Sequence, residues 1–232
     1  MTRTAKENQD MPERMEVVLL RSRRRTLSLE MGRDGTLTVH APMRCPKGDI
    51  EAFLEEKKDW IARTRARILT KAAMYPPLKL QDGEKLPFAG RELTLVFRPG
   101  VRRISRQGEM LLLPEHTDRE HLLSWLTAQA RGYFAARLDY YAQEMQLIYK
   151  SLRVTSAKTR WGSCSADNRI NLTRYLILCT PEAIDYVVVH ELSHIRHKDH
   201  SPDFWRHVER YYPDYRTQKK WLQDHSGILE LI

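Results

Sequence analysis

Two histidines four residues apart enclose a glutamate in His190-Glu191-Leu192-Ser193-His194. On an α-helix, residues i and i+4 share a face, so both imidazoles can offer a nitrogen to one Zn²⁺ while Glu191 turns toward the open coordination position. Bound zinc lowers the pKa of its water toward neutrality and polarises a scissile carbonyl, so a carboxylate suffices as general base. The apolar run Ile184 to Val189 precedes the motif, which places it in the C-terminal part of a buried helix rather than on a solvated one. These residues predict a zinc metallohydrolase site with His190 and His194 as ligands and Glu191 as the catalytic base.

A catalytic zinc usually takes three protein ligands and keeps one position for water. His197 follows on the same face, but a continued helix would carry it about 10 Å along the axis from His190, too far to share the ion. Glu209 is bracketed by arginines, and a solvated ion pair is the simpler expectation for it. His200 is favoured, because Lys198-Asp199 can end the helix and Ser201-Pro202 can start the next, turning the chain back onto the metal. Phe204 and Trp205 then read as core anchors for that loop. Upstream, Arg160-Trp161-Gly162-Ser163 is expected to border the cleft as a substrate-binding segment. There Gly162 would allow close backbone approach, Trp161 would wall a pocket, and Arg160 could hold an anion or steady an oxyanion. Cys164 reads as a buried thiol, since nothing local would depress its pKa.

The elements that must hold these residues can be read from periodicity. Short strand patterns over Glu16–Leu20, Thr26–Glu30 and Thr36–His40, with a turn at Arg33-Asp34-Gly35, read as a β-meander. Asp49–Leu69 reads as one amphipathic helix, and Tyr75-Pro76-Pro77 breaks the chain. Further strands are expected over Arg91–Phe97, Val101–Ser105 and Met110–Leu113, followed by a long helix over Asp118–Gln146. Strands near Leu152–Ala157 and Arg169–Asn171 flank an expected loop, residues 158–168. The motif helix is predicted from Pro181 to about Arg196, with shorter helices at Pro202–Tyr211 and Thr217–Gln223.

The segments HELSHIRHKDHSPDFW (190–205), KTRWGSC (158–164), NRINL (168–172) and SRRRTLSL (22–29) closely resemble the YgjP-like metallopeptidase-domain family, relatives of the SprT and WLM zincins. The likeness extends over nearly all of the chain after its first residues. It implies His190, His194 and His200 as zinc ligands, Glu191 as base, and a zincin-like metalloprotease domain. The expected fold is α+β, with a disordered leader over residues 1–14, a β-rich N-terminal region with one helix over 15–115, and the catalytic domain over 116–232.

Charge and composition bound the rest. Residues 1–110 carry 23 Lys and Arg against 15 Asp and Glu, while the remainder carries 16 against 15, so the formal charge of +9 sits in the first half. Such a surplus can serve phosphates, and the run Arg21, Arg23, Arg24, Arg25 is a candidate contact, with a charged edge strand as the simpler alternative. Met1 to Asp10 hold no apolar signal segment, and no stretch reaches the roughly 20 apolar residues that span a bilayer. A cytoplasmic protein without membrane attachment is expected, with Cys45, Cys164 and Cys179 reduced. A polypeptide is the leading substrate. A nucleotide phosphohydrolase, or a DNA-associated protease or binding module using the basic half, is the alternative.

Overall fold

The computed structural model describes residues 15–32 and 34–232. The expected leader over 1–14 and the turn residue Arg33 lie outside them. By packing, the chain forms two units, Met1–Pro76 and Pro77–Ile232.

In the first unit, β1 (Val17–Ser22), β2 (Ser28–Met31) and β3 (Leu37–Pro42) form a sheet in the order β1-β3-β2. β1 runs parallel to β3 and β2 antiparallel, so the sheet is not the expected meander. The central place falls to the strand with the strongest alternation: Leu37, Val39 and Ala41 are at most 1 % exposed, so β3 gains most from neighbours on both edges. The helix expected over Asp49–Leu69 is two helices, α1 (Lys47–Glu56) and α2 (Lys58–Met74). They meet at Lys57, whose ψ of 5° departs from the helical range. Ile50 and Ile61, one from each, complete the core on the sheet. Arg21 donates through Nη1 to the carbonyls of Pro42, Met43 and Cys45 at 2.8–3.2 Å, and Arg24 donates to Ser28 Oγ. Two of the four clustered arginines are thus engaged within the unit itself.

The second unit begins with β4 (Lys85–Phe88), β5 (Arg91–Phe97), β6 (Ser105–Gln107) and β7 (Met110–Leu113), in the order β4-β5-β7-β6. The strand expected over Val101–Ser105 is displaced to Ser105–Gln107, and β4 is an addition. With four residues and Pro87 it carries little strand signal, and it occupies an edge, where a proline removes no interior ladder bond. Ala89 and Gly90 join β4 to β5 with positive φ at both positions, the geometry of a tight hairpin.

α3 (Arg119–Glu144) starts at Asp118, whose side chain accepts from the His121 N–H. It buries Leu122, Leu126, Ala130, Phe134 and Leu138 completely, a stripe at four-residue spacing. A second sheet holds β8 (Ser151–Thr155), β9 (Gly162–Cys164) and β10 (Arg169–Thr173) in the order β8-β10-β9. A 3₁₀ turn at Arg174–Leu178 leads into α4 (Pro181–Ser193), followed by α5 (Pro202–Tyr211) and α6 (Tyr215–Asp224).

The packing places β4 to β7 with the helices rather than with the N-terminal sheet, so the break falls at 76–77 instead of 115–116. The hairpin N–H groups of Ala89 and Gly90 donate to the Ile177 and Cys179 carbonyls, and Phe88 packs on Trp125 of α3 at 5.5 Å. The fold is mixed α+β, as expected. Among the described residues no helix is long and apolar enough to cross a membrane.

Candidate metal centre

α4 is set at its start by Thr180, whose hydroxyl accepts from Ala183 N–H at 3.3 Å, and by Pro181 in the first turn. Nine of the thirteen residues of α4 are buried, so it is held from several sides rather than along one stripe. One charge interrupts its apolar run: Asp185 accepts Arg137 Nε at 2.6 Å and Nη2 at 2.7 Å, and Tyr141 donates to it at 3.3 Å. This two-pronged pair ties α4 to α3.

The helix ends earlier than the expected Arg196. His194 is its C-terminal cap, and the N–H groups of Ile195 and His197 turn back to the carbonyls of Leu192 and Ser193. The buried Ser193 hydroxyl donates to Val189 O and faces His207 Nδ1 at 3.1 Å. His197 therefore leaves the helical face. Its carbonyl accepts from His194 Nδ1 at 3.0 Å, which puts the proton on Nδ1 and leaves a lone pair on Nε2. The chain then bends: Asp199 accepts Ser201 N–H at 3.1 Å, and Ser201 Oγ accepts Phe204 N–H to start α5.

That bend brings His200 back. One ligand atom each from His190, His194 and His200 lies within 4.8 Å of the other two, and the Nε2 atoms of His190 and His200 face each other at 3.2 Å. Phe204 is fully buried, and its ring lies 4.5–4.9 Å from all three imidazoles. Trp205 stacks on His200 at 5.8 Å and on Tyr215 at 5.2 Å. Both residues anchor the loop that carries His200. Burial, then His194 and His200, hold His190 down at about 3, and burial lowers His194 as well. Neutral imidazoles are the form a cation can use. The donor set fits a divalent ion that favours nitrogen ligands, and His190 Nδ1 and Glu191 Oε2 are buried without hydrogen-bond partners among the described residues.

Glu191 is 5 % exposed, and burial pushes its carboxyl up to about 8, with the charge of Arg160 opposing. β9, inside the segment expected to be a loop, lies against it. A Cβ on Gly162 would sit 2.7 Å from Glu191 Oε1 and 2.8 Å from its Cγ, so only glycine leaves room for the carboxylate. Arg160, Trp161, Gly162 and Ser163 also line a cavity of about 210 Å³ with residues of β8 and β10, where Asn171 Nδ2 donates to Ser163 Oγ. The four residues singled out upstream thus meet the glutamate through Gly162. Cys164 is half-buried, and burial pushes its thiol up. Glu209 is paired with Arg216 at 2.7 Å. Asp185 and Ser193 were not anticipated, although a lone carboxylate within an apolar helical run was the visible signal for the first.

A family model described as YgjP-like, metallopeptidase domain, matches residues 25–225. Among solved structures, the metallopeptidase zymogen of Pyrococcus abyssi abylysin is 21 % identical and covers 39 % of this chain and 92 % of its own, with a TM-score of 0.36. No curated protein matches the chain.

Proposed function

Because the chain belongs to the YgjP-like metallopeptidase-domain family, we propose that it is a zinc-dependent metallopeptidase in which His190, His194 and His200 hold the ion and Glu191 is the general base. The observation that carries this reading is the buried, unpartnered carboxylate of Glu191 beside three converging imidazoles. When bound, the ion supplies Lewis acidity, polarising a peptide carbonyl and acidifying water, and an all-imidazole set suits zinc. Glu191 takes the proton of the attacking water and returns it to the leaving amine nitrogen. Its low exposure keeps bulk water from competing for that proton.

A polypeptide suits the surroundings. β9 is an edge strand, paired only with β10 among the described residues, and it runs beside Glu191. An extended substrate added along that edge would bond through its own backbone and bring a carbonyl toward the imidazoles. In this arrangement Ser163 and Trp161 shape the neighbouring pocket, and Arg160 stabilises the developing oxyanion. Helix α4 beside a short sheet with an edge unpaired among the described residues supports a zincin-like catalytic unit, which we assign to residues 77–232.

The test compares wild type, Glu191→Gln and His200→Ala for zinc content and for hydrolysis of a quenched fluorescent peptide library. Glu191→Gln is expected to keep zinc at wild-type stoichiometry and lose at least about 10²-fold in turnover, the scale of general acid–base catalysis. His200→Ala is expected to lose zinc affinity. Full turnover in the Gln variant sinks the mechanism, and unchanged zinc affinity in the Ala variant sinks the ligand assignment.

A further inference from the structure

Away from the three converging imidazoles, a concavity of the second unit opens between the β5–β6 loop and the N-terminal half of α3, with a volume of about 630 Å³. Arg98, Arg102 and Arg103 line it from the loop, and Trp125 lines it from the helix. A second concavity of about 420 Å³ shares Ser124 and Ala128 with the first and carries Arg131 and Arg174. The two are therefore one groove along α3. From His121 to Arg131 it follows ten residues of helix, about 15 Å at 1.5 Å per residue.

The charge of this groove is not neutralised internally. Five arginines face two lining carboxylates, Glu115 and Glu120. Among the described residues no carboxylate pairs with Arg98, Arg102, Arg103 or Arg131, and all four are exposed. Arg98 and Arg174 donate to the carbonyls of Phe97 and Leu123, which orients their guanidinium groups without cancelling their charge. Grouping like charges on a surface costs free energy unless a counter-charge arrives.

We propose that this groove binds single-stranded nucleic acid. Three features select that ligand over other anions. The cations are all arginine, whose planar fork pairs two oxygens of a phosphate and stacks on bases. Trp125, Val101 and Ile104 add apolar wall against which a base face can lie. Five arginines along a wall that follows α3 from Glu120 to Arg131 outnumber the single phosphate of a mononucleotide and suit a chain of them. The groove uses no residue of the proposed metal centre, so the inference is independent of the bond that centre cleaves.

The experiment is a fluorescence-anisotropy titration of the full chain with labelled 12-nucleotide poly-U RNA and poly-dT DNA, repeated from 25 to 300 mM salt. A 12-residue poly-glutamate peptide and UMP serve as competitors. Five phosphate contacts predict a log–log salt slope of about −3.5, falling to about −2 in Arg102→Ala/Arg103→Ala and by about 0.7 in Arg131→Ala. The substituted side chains are exposed, and near-wild-type melting of each variant verifies the fold. A double variant at Arg23 and Arg25 is expected to leave the slope unchanged. Binding to either RNA or DNA that follows this pattern supports the groove. It is overturned by no binding at 25 mM salt, by slopes indifferent to Arg102, Arg103 and Arg131, by dependence on Arg23 and Arg25 instead, or by poly-glutamate or UMP competing as well as the oligonucleotide.

Discussion

A base is only as useful as its position, and for Glu191 that position depends on a side chain that is missing. The backbone of Gly162 occupies the space next to the carboxylate, and a methyl group there would fall 2.7–2.9 Å from Oε1, Cγ and Cδ. Real Cβ atoms do not approach that closely, so in Gly162→Ala either β9 or Glu191 must move. β9 is held by its ladder with β10, which leaves the side chain to yield. Displacing a catalytic group by about 1 Å costs on the order of 10²-fold. Gly162→Ala is therefore expected to lower kcat by about that factor while zinc content and melting temperature stay near wild type. Wild-type kcat would mean that Glu191 is not held by this contact. At this scale much could be read from sequence, because the spacing of His190, Glu191 and His194 is a property of one helix. The closeness of Gly162 to Glu191 was not, since 29 residues separate them and only tertiary packing joins them.

Elements carry the next constraint, since the histidines can converge only if α4 begins and ends where it does. Its beginning is pressed against the β4–β5 hairpin. Gly90 has φ of +76°, and a Cβ there would lie 2.6 Å from Pro181 Cδ in the first turn of α4. A proline ring cannot rotate away, so Gly90→Ala combines backbone strain with displacement of the helix start. A destabilisation of about 2–3 kcal/mol is expected, read as a fall in Tm of roughly 5–10 °C. An unchanged Tm would show that the hairpin does not brace α4. The end of α4 illustrates why element boundaries were less legible than element types. Ile195 and Arg196 are acceptable in a helix, and nothing local marks a stop before them. The helix stops because Ser193 is buried against His207 and the following turn lends its carbonyl to His194. β9 was missed for a similar reason: Gly, Ser and Cys carry little strand propensity, and its three residues become a strand through β10.

For the whole molecule, every residue of the candidate centre and every element that positions it lies in one packing unit. The imidazoles come from α4 and the loop before α5, the close approach to Glu191 from β9, and the brace on the helix start from the β4–β5 hairpin. That unit has its own interior, including the buried face of α3 and most of α4, while the first unit closes a separate core on β3 with Ile50 and Ile61. The sequence announced the prolines at 76 and 77 as a break. It did not announce that the strands beyond them join the helices, because strand partners are chosen over long separations. A chain of 156 residues with its own buried interior is large enough to fold alone. Residues 77–232 expressed without the preceding segment are therefore expected to melt in one cooperative transition and to bind zinc with full-length stoichiometry and affinity. Non-cooperative melting, or zinc affinity weakened by more than about tenfold, would make residues 1–76 part of what holds the histidines in place.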